Sequence, residues 1–202
     1  MKLFYKPGAC SLATHITLNE IAAAYEIDSV DTDAGKTSAG IDFKTINPKG
    51  YVPALQLASG EVLTEGAAIL QYLADNHPER GLAPKAGTVA RARLQEYLNF
   101  TSSELHKAFT PFFTASATTQ DKEKAAKNVA AKLSYLETLF SDGRAYLLGA
   151  EFSVADAYLF VVCNWSNFVG IDLMGWPSLA AFVERTSQRP SAQAAMKAEG
   201  LI

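Results

Sequence analysis

Residues 2–24 read KLFYKPGACSLATHITLNEIAAA, and their pattern indicates the fold class of the first part of the chain. The run Lys2–Tyr5 favours a short strand, and Pro7-Gly8 indicates the turn that ends it. Ser11 is a residue type that caps helices, so the sequence predicts a helix over residues 12–24. A strand, a turn and a helix therefore form the opening unit.

The sequence up to residue 77 continues this pattern with short apolar runs separated by turn residues. Ser59-Gly60 predicts a tight turn between two strands, and Thr64 is predicted to cap the helix that follows. The remaining predictions are a strand over 25–30, a loop over 31–40, one helical turn over 41–46, strands over 52–57 and 61–63, and a helix over 65–76. The order predicts a small α/β domain over residues 1–77.

Residues 78–87, PERGLAPKAG, concentrate proline, glycine and charge, which is typical of an interdomain linker. No later stretch alternates as a strand does. Helical periodicity recurs instead over 88–115, 122–140, 154–168, 177–187 and 191–198. The sequence therefore predicts an all-helical second domain over residues 88–202, with the mostly apolar helix from Val154 at its centre.

Composition and charge exclude several classes of protein. The chain of 202 residues has a net charge of -3, so it lacks the overall positive charge that would attract nucleic acids or anionic lipids. Its longest apolar run, 157–163, is far shorter than the ~20 residues of a membrane-spanning helix. Cys10 and Cys163 lie in no CxxC or zinc-binding pattern, and no three potential ligands share a metal-like spacing. A soluble cytoplasmic protein without a metal is predicted.

Cys10 and two neighbours are candidate functional residues, each with a structural alternative. A cysteine before a helix N-terminus has a pKa lowered to roughly 3.5–7.5, so Cys10 is interpreted either as a reactive thiolate or as a small buried hydrophobe. Tyr5 and Ser11 could donate hydrogen bonds to a negative sulfur. They could equally be a packed aromatic ring and a simple helix cap.

Four motifs, in order, resemble the soluble glutathione transferases over essentially the whole chain. They are Tyr5-Lys-Pro-Gly-Ala-Cys10-Ser11, Val52-Pro53-Ala54-Leu55, Thr64-Glu65-Gly66-Ala67-Ala68-Ile69 and Phe152-Ser153-Val154-Ala155-Asp156. The first motif is similar to the bacterial beta class, where a cysteine and a serine lie at the glutathione sulfur. The resemblance implies a thioredoxin-like N-terminal domain, an all-α C-terminal domain and a cis proline at Pro53.

The resemblance also implies the residues of a glutathione site. Cys10, Ser11, His106 and Tyr5 are the implied catalytic residues. Binding is assigned to Cys10, Lys36, Tyr51, Val52, Pro53, Glu65, Gly66, Asn99, Ser103, Glu104 and His106. Glu65 is expected to meet the α-amino group of glutathione. Gly66 departs from the serine that much of the family has, which removes a hydroxyl donor but keeps the backbone N–H. Lys36 is equally well interpreted as a solvated loop lysine.

Helical spacing places Asn99, Ser103 and His106 on one face of the predicted helix 88–115. The resemblance implies that His106 faces Cys10 across the active-site cleft, and that Asn99 and Glu104 contact glutathione of a partner subunit. A homodimer is implied with it. Ser153 and Asp156 fit a capping box, which is a folding role. His15 and His77 are interpreted as structural.

The implied activity is conjugation of the glutathione thiolate to hydrophobic electrophiles, as in detoxification, with glutathione as cosubstrate and no tightly bound cofactor. A thiol-disulfide or peroxidase side activity is favoured by Cys10, although a dithiol mechanism lacks the second cysteine of CxxC. Two alternatives stay open, a specialised dehalogenase or isomerase and a non-enzymatic binding protein. Phe109, Phe112, Phe113, Trp165 and Phe168 could each belong to the core or to a substrate pocket.

Overall fold

A computed structural model describes residues 1–202 and divides them into two compact units. The N-terminal unit comprises Met1–Ala83 together with Gln188–Ile202, and the helical unit comprises Pro84–Ser187. The strands are β1 Lys2–Tyr5, β2 Glu26–Asp31, β3 Lys36–Thr37, β4 Ala54–Gln56 and β5 Val62–Thr64. The helices are α1 Ser11–Glu20, α2 Gly66–Asp75, α3 Val89–Asn99, α4 His106–Phe113, α5 Thr119–Phe140, α6 Val154–Asn164, α7 Ser166–Val169, α8 Pro177–Ser187 and α9 Pro190–Ala198.

The N-terminal unit is built on a mixed five-stranded sheet in the order β3-β2-β1-β4-β5. The central strand β1 runs parallel to β2 and antiparallel to β4, and Phe4 lies opposite both Asp28 and Ala54. Helix α1 provides the crossover that a parallel pair needs. Phe4, Val30, Phe43 and Val52 pack together in one core cluster. The α/β architecture predicted for residues 1–77 is confirmed.

Two details of the N-terminal unit differ from the sequence prediction. Helix α1 ends at Glu20 rather than at residue 24, because Ala22 adopts a left-handed conformation with φ of 52°. The Ala23 N–H then bonds to the Leu18 carbonyl, which closes the helix end. The predicted loop 31–40 contains the short strand β3, which places Thr37 opposite Val30. A two-residue strand has no alternating pattern for the sequence to show.

The C-terminal segment 188–202 packs with the N-terminal unit, whereas the sequence analysis assigned it to the helical domain. Side chains of α1 hold it in place. The buried His15 ring bonds through Nδ1 to Oε1 of Glu199 at 2.9 Å, and Glu20 accepts from Arg189 at 2.8 Å. Oε2 of Glu199 also accepts from the Gly8 N–H at 3.0 Å, in the turn before Cys10.

The helical unit is organised around α6. Every residue of this helix from Val154 to Cys163 is buried. The predicted capping box is present: Asp156 accepts from the Ser153 N–H and from its hydroxyl, at 2.8 and 2.6 Å. Asp156 also accepts from the Leu147 N–H at 2.7 Å. The helix predicted over 154–168 breaks after α6, and α7 follows as a separate turn.

The predicted helix 88–115 is helical, but its centre is not an α-helix. Thr88 caps α3 through the Arg91 N–H, and α4 contains Pro111. Between them Phe100–Leu105 forms a π-helical segment. A π turn bonds residue i to residue i+5, so side chains here do not follow the 3.6-residue period. No helix of the protein combines the length and apolar composition that a membrane crossing requires.

Candidate active site

Cys10 lies at the N-cap of α1, in the turn that the Pro7-Gly8 pair opens after β1. The side chain is half-buried, and its Sγ lies 3.5 Å from the Val52 carbonyl oxygen. The N-terminus of a helix carries a partial positive charge, which stabilises a negative sulfur placed there. The structure therefore gives Cys10 the position and partial exposure that a reactive thiol requires.

The sequence predicts Ser11 as the cap of α1, and this prediction is wrong. Cys10 is the capping residue, and Ser11 is the first residue of the helix. The Ser11 side chain is fully buried. Its hydroxyl accepts from the Lys6 N–H at 3.2 Å and donates to the Lys6 carbonyl at 3.3 Å. A hydroxyl has one proton to donate, so this pair commits the Ser11 donor to the turn beneath Cys10.

Tyr5 is buried at the end of β1, with its ring centroid 6.1 Å from that of His15. Burial raises the pKa of its hydroxyl, and the charges of Glu199 and Asp28 add to the effect. The phenol therefore keeps its proton. This environment fits the packed-aromatic alternative for Tyr5.

The segment around Pro53 lies next to Cys10. The Val52–Pro53 peptide bond is cis, which confirms the prediction for Pro53. Val52 and Pro53 are buried, while the ring of Tyr51 is exposed. The Asn47 side chain donates a hydrogen bond to the Tyr51 carbonyl at 2.6 Å, which helps to fix the backbone of this segment. The structure thus brings Tyr51, Val52 and Cys10 into one locality.

Glu65, not Thr64, is the N-cap of α2, because Thr64 is the last residue of β5. Glu65 has a φ of 68°. Such a conformation is uncommon for a residue with a Cβ, and backbone strain of this kind concentrates at functional sites. Its Oε1 accepts from Lys49 Nζ at 2.5 Å and from the Tyr51 hydroxyl at 2.6 Å.

This hydrogen-bonded group of Lys49, Tyr51 and Glu65 lies at the surface of the N-terminal unit. The bond to Glu65 raises the pKa of both Lys49 and Tyr51. Lys49 also donates to the Thr64 hydroxyl at 3.0 Å. Gly66 is the first residue of α2, where backbone N–H groups lack intrahelical partners. Lys36 is exposed on β3.

His106 begins α4 in the helical unit, and the rings of Tyr158 and Trp165 pack against it. Its Nδ1 lies 2.9 Å from the Tyr158 hydroxyl, and the Trp165 ring packs edge-on at a centroid distance of 4.7 Å. Phe109 and Phe113 contact Trp165 in turn. Burial lowers the pKa of His106 to about 4, with a further contribution from the Lys107 charge. His106 is therefore neutral near pH 7.

The other predicted residues of the helical unit, Asn99, Ser103 and Glu104, are exposed. Ser103 lies within the π-helical segment between Asn99 and His106, so the spacing of four and three does not have its α-helical meaning. The Ser103 hydroxyl donates to the Asn99 carbonyl at 2.8 Å. Glu104 forms an ion pair with Lys132 at 2.6 Å.

Two family models match the chain. The N-terminal domain of glutathione S-transferases matches residues 1–75, and the C-terminal domain matches residues 100–190. The chain belongs to the glutathione S-transferase family. Together with the observed sheet and helical unit, this confirms the predicted fold class, a thioredoxin-like domain followed by an all-α domain.

Relatives of high identity span the whole chain. Glutathione S-transferase GstA of Escherichia coli O157:H7 is 44% identical over 201 residues, which is 100% of each protein. A beta-class glutathione S-transferase of Sphingomonas chungbukensis is 50% identical, with a TM-score of 0.97 and complete coverage of both chains. A sphingomonad glutathione S-transferase solved in complex with glutathione is also 50% identical, with a TM-score of 0.95 and complete coverage of both chains.

Two residues of this glutathione S-transferase contact predicted site residues but were not predicted from the sequence. Lys49 donates a hydrogen bond to the Glu65 carboxylate, and the Tyr158 hydroxyl is hydrogen-bonded to the His106 ring. Lys49 lies in the Asn47-Pro48-Lys49-Gly50 run, which indicated only a turn, and Tyr158 lies in an apolar helix that indicated only a core. No group of three or more His, Cys, Asp or Glu side chains forms a candidate metal site.

Acid is expected to destabilise this transferase through His106. Its pKa is about 4 in the folded protein, against ~6.5 for an unfolded histidine. A base with a lowered folded pKa contributes stability that is present above the unfolded pKa and is lost as the pH falls. We expect its contribution to the free energy of unfolding to decrease by about 2 kcal/mol from pH 7 to pH 5.

Urea unfolding of the wild type and of His106→Gln at the two pH values measures this contribution. The glutamine keeps a polar side chain at position 106 but does not titrate in this window, so the variant is expected to lose less stability on acidification. An equal loss in the two proteins would contradict the prediction.

Proposed function

We propose that this protein is an enzyme that conjugates the glutathione thiolate to hydrophobic electrophiles. The observation that carries the proposal is the turn at the start of α1, where half-buried Cys10 lies next to the Val52 main chain and the helix N-terminus can stabilise the sulfur of bound glutathione, in a member of this family. The solved relative with bound glutathione supports it. The sulfur of glutathione attacks the electrophilic carbon of the second substrate. A new C–S bond forms, and the leaving group departs with its bonding electrons.

The N-terminal unit is proposed to bind glutathione. The Val52 main chain pairs with the cysteinyl part of the peptide, and the Glu65 carboxylate receives the α-ammonium group. The Gly66 N–H, at the N-terminus of α2, receives the γ-glutamyl carboxylate. Tyr51 and Pro53 line this segment, and exposed Lys36 pairs with the glycyl carboxylate. Cys10 serves as a binding and redox group, while Ser11 and Tyr5 support the turn that carries it.

The helical unit is proposed to supply His106 and an aromatic surface for the electrophile. Phe109 and Trp165 are buried and belong mainly to the core, whereas Phe113 is 57% exposed. Since Phe113 packs on Trp165 and Trp165 packs on His106, an electrophile stacked on Phe113 would lie near the imidazole. Neutral His106 can donate a hydrogen bond to developing negative charge.

Steady-state assays of the purified protein test the proposed activity. Conjugation of a chloronitrobenzene by glutathione is expected, and assays with haloalkanes and with a mixed disulfide as substrates examine the dehalogenase and reductase alternatives. Binding of glutathione without turnover of any electrophile would contradict the proposed activity and favour a binding protein.

Replacing Glu65 by glutamine is expected to raise the KM for glutathione roughly 10-fold, because one charge-assisted hydrogen bond to the α-ammonium is lost. Glutamine preserves the shape of the side chain, so the kcat is expected to change little. Isothermal titration with glutathione and steady-state kinetics measure the two effects.

Glu61→Gln is the matched control, because Glu61 is an exposed acidic residue just before β5 in the same unit. It removes the same charge without touching the site and is expected to leave the KM unchanged. A kcat loss without a KM change in Glu65→Gln would show that Glu65 does not bind the peptide in the way proposed.

We also propose a cytoplasmic homodimer in which Asn99 and Glu104 contact the glutathione of the partner subunit. Exposure of both residues supports this role, and neither cysteine forms a disulfide, which fits a reducing compartment. Sedimentation equilibrium at micromolar concentration is expected to give twice the chain mass of 21.7 kDa. A monomer mass would remove the proposed roles of Asn99 and Glu104 in the partner's site.

A further inference from the structure

Tyr158 on α6 forms a hydrogen bond with the ring of His106. The two residues are 52 positions apart, and the oxygen of the Tyr158 hydroxyl lies 2.9 Å from His106 Nδ1. Tyr158 is 5% exposed, so solvent competes little for this bond. The rings of Tyr158 and Trp165 both meet the imidazole nearly at right angles, at 87° and 82°. The His106 ring is therefore held in one orientation by its neighbours.

The direction of this bond decides what His106 can do. Neutral imidazole carries one proton, and the nitrogen without it is an acceptor. If the phenol donates to Nδ1, the proton is on Nε2 and His106 offers an N–H donor there. If Nδ1–H donates to the phenol oxygen, Nε2 carries a lone pair and His106 can act only as a proton acceptor. The two tautomers give opposite roles in catalysis.

We propose that Tyr158 is a positioning residue that donates to Nδ1 and so keeps the His106 proton on Nε2, where it serves as a hydrogen-bond donor to developing negative charge. A phenol hydroxyl is more acidic than an imidazole N–H, and an imidazole lone pair is a better acceptor than a phenol oxygen, so the bond is stronger in this direction. The hydrogen bond on one ring nitrogen commonly sets the state of the other. The proposal rests on the proposed function only for the charge that His106 meets.

The low pKa of His106 supports this arrangement. A neutral ring in the ordinary assay range can hold a defined tautomer, whereas a protonated ring would carry a hydrogen on both nitrogens and would exclude acceptance from Tyr158. Tyr158 thus acts on the reaction through His106 and does not need to contact the substrate.

Nitrogen-15 NMR of the histidine rings tests the tautomer directly. The chain has three histidines, so spectra of His15→Gln, His77→Gln and His106→Gln assign every ring. In the wild type at pH 7, Nε2 of His106 is expected to show the shift of a protonated nitrogen and Nδ1 that of an unprotonated one. A proton on Nδ1 would overturn the proposal whether or not the enzyme is active.

Tyr158→Phe removes the donor and keeps the ring. The His106 nitrogen shifts are expected to move toward a mixture of tautomers, and the kcat for conjugation is expected to fall roughly 3- to 10-fold with the KM for glutathione unchanged. Unchanged His106 shifts would overturn the proposal, even if the activity fell. A wild type with no conjugation activity would contradict the proposed function but not the tautomer.

Tyr97→Phe is the matched control, because Tyr97 is a similarly buried tyrosine of the helical unit whose hydroxyl bonds to Arg144. The same hydroxyl deletion there is expected to leave the His106 shifts and the kcat unchanged. If both variants moved the His106 shifts equally, a general loosening of the helical unit would explain them and the positioning role would be wrong.

Discussion

The wild type is expected to form a mixed disulfide with oxidised glutathione, and replacing Cys10 by alanine is expected to abolish it. The Cys10 thiolate attacks one sulfur of the disulfide, a protein–glutathione S–S bond forms, and the other half leaves as glutathione thiolate. Its half-buried position at the start of α1 provides both access and electrostatic support. The expected loss is complete, because Cys163 is fully buried in α6 and burial raises the pKa of its thiol.

Intact-protein mass spectrometry after exposure to oxidised glutathione measures the adduct. Cys163→Ala is the matched control and is expected to form it as the wild type does. An adduct that persists in Cys10→Ala, or one that maps to Cys163, would contradict the assignment.

The same Cys10→Ala protein separates binding and redox chemistry from conjugation. We expect disulfide-reductase activity to disappear, because that reaction passes through the mixed disulfide. The conjugation rate with an aromatic electrophile is expected to remain largely intact, because there the sulfur that attacks belongs to glutathione. A collapse of that rate would show that Cys10 takes part in conjugation directly.

Replacing Asp156 by alanine is expected to lower the free energy of unfolding by roughly 3 to 5 kcal/mol, a sum of a lost helix cap and of buried donors left without an acceptor. The Leu147 and Ser153 N–H groups both donate to this carboxylate. They lie where water cannot replace it, since Asp156 is 0% exposed. Burial also raises the pKa of Asp156 to about 6, while its hydrogen bonds act in the opposite direction.

Urea unfolding at neutral pH measures the loss. Asp121→Ala is the matched control, because Thr118 and Asp121 form the same capping box at the start of α5 on the exposed surface. Water can satisfy the donors there, so we expect a much smaller loss. Asp156→Asn keeps one acceptor oxygen and is expected to lie between the two. Equal losses in Asp156→Ala and Asp121→Ala would show that burial of the cap does not matter.

Short-range patterns allowed much of the fold to be predicted from the sequence. The Lys2–Tyr5 strand, the Pro7-Gly8 turn and the start of α1 are adjacent in the chain, and each follows from local backbone preferences. The β4–β5 hairpin and the Ser153–Asp156 capping box are equally local, since their partners lie within a few residues. The position of Cys10 before a helix belongs to the same class.

A few local features differ from these patterns because the chain adopts a competing conformation at those positions. Ala22 ends α1 in a left-handed conformation that few alanines adopt. Ser11 resembles a cap but bonds to the Lys6 main chain instead. The π-helical segment at Phe100–Leu105 keeps a helical composition while changing the angular spacing of its side chains.

Local sequence was sufficient to predict the α/β and all-α classes of the two parts, the place of Cys10 and the cap of α6, because each depends on neighbours in the chain. The partner of each polar side chain, in contrast, follows from the packing of elements that are distant in the chain. His15 pairs with Glu199 across 184 positions, Glu65 pairs with Lys49 across 16, and His106 pairs with Tyr158 across 52. Such pairs form because folding buries or fixes groups that must then find donors and acceptors. A one-dimensional pattern does not carry that choice, since the partner is set by how the elements pack.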